Sequence, residues 1–338
     1  MTRVIAGWCV LLFGCCSTAS AHDLGTTDKA ATIEAVIAHL ETEYVDAAVG
    51  GEAAQYLRNA LSAGSFDNSA SGKAFAETVS ELLQQITGDG HLNLEFSENH
   101  LQQSQEAAEE FSAGEMERWY GAHLNFGVEK VERLEGNVGL IDLRVFAPID
   151  MAAETVSAAM NVVAHTDALI IDLRNNGGGI GDMANLVASH LFDGGRQPLT
   201  GTYDRPADTL TQRYTQPYLP GTRFGQDKPV YVLISKKTFS AAEALAYDLQ
   251  ALQRAVIIGE ASGGGAHPFE YLPVHPHFVL WSVTARSVNP ITGGNWQGVG
   301  VRPDIEVPSE RALEEALKQY QIAKADNPTS QKQRRTPP

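Results

Sequence analysis

Ser240 heads the tetrapeptide Ser240-Ala241-Ala242-Glu243, behind an apolar, β-branched run from Val230 to Ile234 and a short polar turn. The run predicts a buried strand, and the Ala-rich segment after the serine predicts a helix to about Leu252. A hydroxyl at such a strand-to-helix turn lies at the positive end of a helix dipole, beside N–H groups that lack intrahelical partners. Both conditions suit a nucleophile and its oxyanion site. The same tetrapeptide fits a capping box, in which Ser240 and Glu243 satisfy first-turn N–H groups reciprocally. The two roles are compatible, so other residues must decide.

A serine nucleophile needs a base. The candidates are His91, His165, His190, His267, His275 and His277, and spacing does not choose among them because triads assemble across the chain. His91 follows the turn Asp89-Gly90 and opens a segment of alternating polarity that reads as extended. A second candidate is the glycine cluster Arg174-Asn-Asn-Gly-Gly-Gly-Ile-Gly181, after the buried strand Ala168 to Leu173. Asp182 stands where a dinucleotide fingerprint starting at Gly177 needs its last glycine, and no Walker lysine follows, so nucleotide binding is disfavoured. Glycines at this turn instead let backbone N–H groups face a cavity unobstructed, as an oxyanion hole requires. His267, His275 and His277 invite a metal reading, but their spacing matches no common ligand pattern, and neither metal nor cofactor is expected.

The elements that must position these residues divide the chain. Ile33, Val36, Ile37, Leu40 and Tyr44 share one helical face, which Gly50-Gly51 is expected to end. A second helix is predicted from Glu52 to Leu61, and a third carries Phe75, Val79, Leu82 and Ile86 to a stop at Gly88-Asp89-Gly90. Residues 22–100 thus read as a small helical domain, and the acidic, Gln-rich stretch 101–124 as a helical connection. Over 125–322 strands alternate with helices, among them Met151 to Ala164 capped by Asp150, which predicts an α/β core with a mainly parallel sheet. Residues 194–226 read as a long loop or hairpin, and the polar tail 323–338 as disordered.

Residues 1–21 have the form of a signal peptide: Arg3, the apolar stretch Val4 to Phe13, and the cleavage site Ala19-Ser20-Ala21. The chain is therefore expected to be exported, to the periplasm or the exterior. All three cysteines precede that site, which leaves the processed chain without disulfides or thiolate ligands. Lipid anchoring at Cys15 is the alternative, although Phe13 fits poorly where such signals carry a small residue. No later segment is long and apolar enough to span a bilayer. A net charge of −16 argues against a nucleic-acid or anionic-membrane partner, since both need basic surface. Oligomeric state is not legible.

Four blocks in order carry a resemblance: Asp172-Leu-Arg-Asn-Asn176 with Gly178-Gly179, Ser240-Ala-Ala-Glu243, Gly259-Glu260 and Gly300-Val-Arg-Pro-Asp304. Together they resemble the C-terminal (tail-specific) processing serine peptidases, over most of the chain after the signal segment. The Ser–Lys enzymes of that family carry a lysine in a G-K-G segment, where this chain has Gly264, and a PDZ domain for which there is no room between His91 and Asn125. Asp-Gly-His91 and Gly-Gly-Ala-His-Pro268 are similar instead to the branch of interphotoreceptor retinoid-binding protein and the tricorn protease core. The resemblance implies a crotonase-like α/β core behind a helical domain, with a peptide or protein as substrate. It also implies Ser240 as nucleophile, His91 as general base, and the N–H groups of Ala241 and Gly178 as oxyanion hole.

That branch commonly has a glutamate where this chain has Gln297, in Trp296-Gln297-Gly298. An amide can orient a histidine but cannot compensate an imidazolium, and a carboxylate-to-amide change of this kind costs about 10⁴-fold in a triad. On that basis Gln297→Glu is expected to raise turnover. The first reading is an exported serine-type peptidase that works through an acyl-enzyme, C-terminal segments of proteins being one class of target. The second is a catalytically weak protein that binds a peptide tail or an apolar ligand. The third, a crotonase-type thioester enzyme, is disfavoured because acyl-CoA is cytoplasmic.

Overall fold

Six strands in the order β12-β8-β7-β4-β3-β2 form the central sheet of the computed structural model, which describes residues 25–98 and 116–326. The expected signal segment with its cysteines, much of the 101–124 connection and the end of the tail lie outside the described residues. β3 (Val138–Leu143), β4 (Ala168–Asp172), β7 (Val230–Ile234), β8 (Val256–Gly259) and β12 (Ile305–Glu306) run parallel, and β2 (Val128–Leu134) closes one edge antiparallel. Alternate side chains face opposite ways along a strand, and both faces here are covered. Ile141, Leu169, Ile171, Val232 and Ile257 enter the larger core, together with α4 (Ile149–Val163), α5 (Gly181–Ser189) and α6 (Ala241–Ala251). Leu140, Ile170, Tyr231, Leu233 and Ile258 face the other way, onto α7 (Ala312–Asp326). The chain is therefore a mixed α/β protein with a mainly parallel sheet, as the alternating pattern predicts.

Several boundaries differ from expectation. Gly50 and Gly51 lie inside α2 (Ala47–Ser62), capped by Asp46, instead of ending the first helix, α1 (Thr26–Thr42). The reason is packing: a Cβ on Gly50 would stand 2.4 Å from the Leu40 carbonyl oxygen, so glycine is what lets α1 and α2 approach. Pro148, not Asp150, is the N-cap of α4. Residues 194–226 contain the hairpin β5 (Pro198–Asp204) and β6 (Thr209–Tyr214), which joins β11 (Ala285–Val288) in a separate sheet. The last helix continues to Asp326, into the segment expected to be disordered.

The N-terminal unit is not purely helical. After α3 (Gly72–Thr87) the chain forms β1 (Asn93–Phe96), which pairs with β10 (Phe278–Ser282), itself paired with β9 (Glu270–His275). The hydrophobic cluster of this unit accordingly runs from Ile33 to Leu94 and then takes in Phe278, Leu280 and Val283. Asn93 pairs with Trp281 in a register that brings the segment before β1 against the segment before β9. Those segments carry His91 and His267.

His190, which follows α5, is wholly buried, and neither ring nitrogen has a hydrogen-bond partner. Burial, with a smaller contribution from Arg223, lowers its pKa from 6.5 to about 4. Between those pH values the unfolded chain binds a proton that the folded chain refuses, so stability is lost as pH falls through this window, by about 3 kcal/mol at its lower end. His190→Leu should remove that component. Urea unfolding of the two proteins should give a stability difference that grows as pH falls from 6.5 to 4, and a constant difference would refute the assignment.

Candidate active site

The turn between β7 and α6 is sewn to the turn after β4. Thr238 Oγ1 donates to the Leu173 carbonyl at 2.8 Å and accepts from the Ser235 N–H at 2.9 Å, while the Phe239 N–H donates to the Asn176 carbonyl at 3.1 Å. Both turns lie at the carboxyl ends of parallel strands, where open α/β sheets place their sites. Ser240 sits at φ 53° and ψ −121°, at the head of α6. A serine with positive φ is strained by about 1–3 kcal/mol unless its surroundings hold it. This conformation lifts a side chain out of a sharp strand-to-helix turn, the geometry of a nucleophile elbow.

Glu243 holds it there. Its carboxylate is fully buried and accepts four hydrogen bonds: from the Ser240 N–H at 2.8 Å, Ser262 Oγ at 2.6 Å, the Gly264 N–H at 2.7 Å and the Gly265 N–H at 2.8 Å. Burial raises its pKa, and the four donors work against that shift. The backbone half of the expected capping box is therefore present, and Glu243 also ties the elbow to the Gly263–Gly265 loop. Gly264, where a dyad lysine would stand, is one of its ligands.

Gly178 packs directly against the elbow: a Cβ there would be 2.6 Å from Ser240 Cβ and 3.2 Å from the Ala241 nitrogen. Glycine is required by that approach and by a φ of +107°. Its N–H, however, donates to Asn176 Oδ1 at 2.8 Å. Of the two expected oxyanion donors, Ala241 stands at the head of α6, where N–H groups lack intrahelical partners, while Gly178 is engaged.

His91 is brought to the same place by the β1–β10 pairing. Its ring lies 4.7 Å, centroid to centroid, from Phe239, the residue before Ser240, and 5.5 Å from Phe269. It is 4% exposed, and its Nδ1 has no hydrogen-bond partner. Burial lowers its pKa to about 4; the Asp89 carboxylate opposes that shift and His267 adds to it. The ring is thus neutral near pH 7, the form a general base needs. No hydrogen bond joins it to Ser240 among the described residues.

The other histidines separate. His267 Nδ1 lies 2.7 Å from Asp89 Oδ2, His275 is 3.8 Å from Asp28, and His277 Nδ1 meets the Ser97 carbonyl oxygen at 3.0 Å. His165 lines a small pocket with Asp193 and Lys228, away from Ser240. Among the described residues no three His, Cys, Asp or Glu side chains are grouped to hold a metal. Two residues that sequence reasoning left aside belong here. Asp89 read as part of a turn, and His267 as one of several histidines, although both lie in the runs Asp-Gly-His91 and Gly-Gly-Ala-His-Pro268 that carry the resemblance.

The model of peptidase family S41 matches residues 137–307, just over half of the chain. The protein belongs to this family. A carboxy-terminal-processing protease of Bartonella bacilliformis is 30% identical over 198 residues, 56% of this chain and 43% of its own length. The chain thus spans less than half of that relative. Two solved structures share the fold over nearly the whole chain. A candidate peptidase from Parabacteroides merdae has a TM-score of 0.58 at 17% identity, covering 90% of this chain and 99% of its own. A lipoprotein from Streptococcus agalactiae has a TM-score of 0.57 at 15% identity, covering 88% and 97%.

In this S41 chain Gln297 is a strut. Its Oε1 accepts from the Ala266 N–H at 2.7 Å and its Nε2 donates to the Gly88 carbonyl at 3.3 Å, so one amide joins the loop before His267 to the turn before Asp89. It orients the histidines through their backbones and makes no hydrogen bond to either ring. Ser240, His91, Gly178, Phe239, Phe269 and Trp281 all face one cavity of 1460 Å³.

Two outcomes follow from these contacts. Glu243→Gln leaves a donor facing donors and should destabilise the fold by about 3 kcal/mol, read as a lower urea midpoint; an unchanged midpoint would mean the carboxylate is not the anchor. Gln297→Glu sets a carboxylate oxygen against the Gly88 carbonyl. It should lower stability by about 1–2 kcal/mol and give no gain in turnover, contrary to the expectation from sequence; a faster enzyme would restore that expectation.

Proposed function

We propose that this S41 protein is an exported serine-type peptidase with Ser240 as nucleophile and His91 as general base. The observation that carries the reading is a serine held at positive φ at the head of a helix, in one cavity wall with a buried, neutral histidine. Ser240 Oγ attacks the scissile carbonyl as His91 takes its proton, and the carbonyl electron pair moves onto oxygen, facing the Ala241 N–H. Gly178 adds a second donor if Asn176 releases it. Collapse of the tetrahedral species breaks the C–N bond, the amine leaves with the proton from His91, and water hydrolyses the acyl-enzyme by the same proton path. The named activity of the Bartonella relative supports proteins cut near their C-termini as the substrate class. The signal-like residues 1–21 support export, and no helix among the described residues is long and apolar enough to cross a membrane.

The cavity favours one alternative, a weakly catalytic protein that binds an apolar ligand, because Phe239, Phe269, Tyr271 and Trp281 line it. A fluorophosphonate probe separates the two. The wild-type protein should label, Ser240→Ala should not, and His91→Ala should label at least about 10³-fold more slowly. An unlabelled wild type that binds an apolar fluorophore tightly would replace the peptidase reading, and full-rate labelling of His91→Ala would remove His91 as the base.

A further inference from the structure

A histidine that accepts a proton from a nucleophile needs two things at its far nitrogen: an acceptor that fixes the ring, and a negative charge that compensates the cation as it forms. His91 Nδ1 is buried and has no hydrogen-bond partner. Gln297, the residue whose sequence position suggested the orienting role, reaches only backbone groups. The carboxylate beside the unpartnered nitrogen is that of Asp89, with Oδ1 3.9 Å from it.

Asp89 is built for the role. It is fully buried, and a buried carboxylate is tolerated only with donors around it. Tyr44 donates its hydroxyl to Oδ2 at 3.1 Å, His267 Nδ1 meets the same oxygen at 2.7 Å, and the His91 N–H donates to Oδ1 at 3.0 Å. Oδ2 is thus taken by Tyr44 and His267, while Oδ1 has only the backbone contact and is turned toward the His91 ring. Burial pushes the Asp89 pKa up, but the bonds to His267 and His91 outweigh it and keep the group ionised. We infer that Asp89, anchored on Oδ2 by His267, is the carboxylate that positions the His91 ring and compensates its charge when it is protonated. The 3.9 Å gap is that of a resting site, since hydrogen bonds of a base commonly tighten only once substrate is bound. His267 acts here as a positioning residue: it holds Asp89 and does not itself face the cavity.

The inference rests on His91 being the base, and the experiment keeps the two claims apart. Labelling of the full chain by a fluorophosphonate is followed as a rate against pH, with probe concentration varied, for the wild type, His91→Ala, Asp89→Asn, His267→Ala and His267→Gln. Asp89→Asn should slow labelling by about 10²–10⁴-fold at the plateau with little change in half-saturating probe, and should move the acid limb to lower pH, because the imidazolium loses its counter-charge. His267→Ala should slow labelling at the plateau as Asp89→Asn does, and His267→Gln, which keeps a donor toward Oδ2, should recover most of the rate. If Asp89→Asn does not fold, the His267 pair carries the test alone. Wild-type plateau rates in the folded Asp89→Asn or His267→Ala variants, with His91→Ala inactive, would overturn this inference and leave the base assignment standing. A lower folded fraction with an unmoved limb would show a merely structural carboxylate and overturn it equally. Full-rate labelling of His91→Ala would overturn the base assignment itself.

Discussion

The site depends on a carboxyl group placed where water cannot reach it. Glu243 is fully buried, and a carboxylate in that position is costly unless donors replace its lost hydration. Four do, and they come from two separate segments: Ser240 on the elbow, and Ser262, Gly264 and Gly265 on the loop after β8. One buried group therefore performs two tasks. It holds a serine at a backbone conformation the residue would not otherwise keep, and it sets the distance from that serine to the loop that leads into His267. The capping role and the nucleophile role suggested by Ser240-Ala-Ala-Glu243 are thus one arrangement, in which the cap is the clamp.

A second buried carboxylate repeats the logic beside His91. Asp89 joins Tyr44 of the N-terminal unit, the backbone of His91 and the ring of His267. A covalent and hydrogen-bonded path runs from Ser240 to Glu243, from Glu243 to Gly265, along the chain to His267, and through Asp89 to His91, whose ring packs on Phe239 beside Ser240. Gln297 braces the same loop to the same turn through Ala266 and Gly88. Such a path needs the long-range β1–β10 pairing, because residues near position 90 and near position 267 meet only when β9 and β10 complete the N-terminal cluster.

Much of this was legible in the sequence, and for identifiable reasons. Apolar runs such as Val230 to Ile234 announce strands because both sheet faces are covered, and Ser240 followed by a helix former announces the elbow. Helix boundaries were less legible. Gly50 looks like a stop in sequence and is instead a point of contact between α1 and α2, a tertiary fact. The Gly178 N–H looked available, and is taken by the side chain two residues before it. Asp89 and His267 were the least legible, since 178 positions separate them and only the fold reveals that they share a hydrogen bond.

Neutral histidine and ionised aspartate side by side are the expected resting state of such a site. Burial disfavours the charged form of both, yet Asp89 has donors enough to stay ionised and His91 has no acceptor within hydrogen-bond distance of Nδ1, so the two groups settle with one charge between them. The flat faces of Phe239 and Phe269 keep water from the ring and so keep its pKa low at rest. A proton arriving at His91 would convert that arrangement to an ion pair in a region of low polarity, where attraction between the two charges is strong. On this reading Gln297 can remain an uncharged strut, because the negative charge comes from Asp89, a residue only two positions away from His91 in the chain.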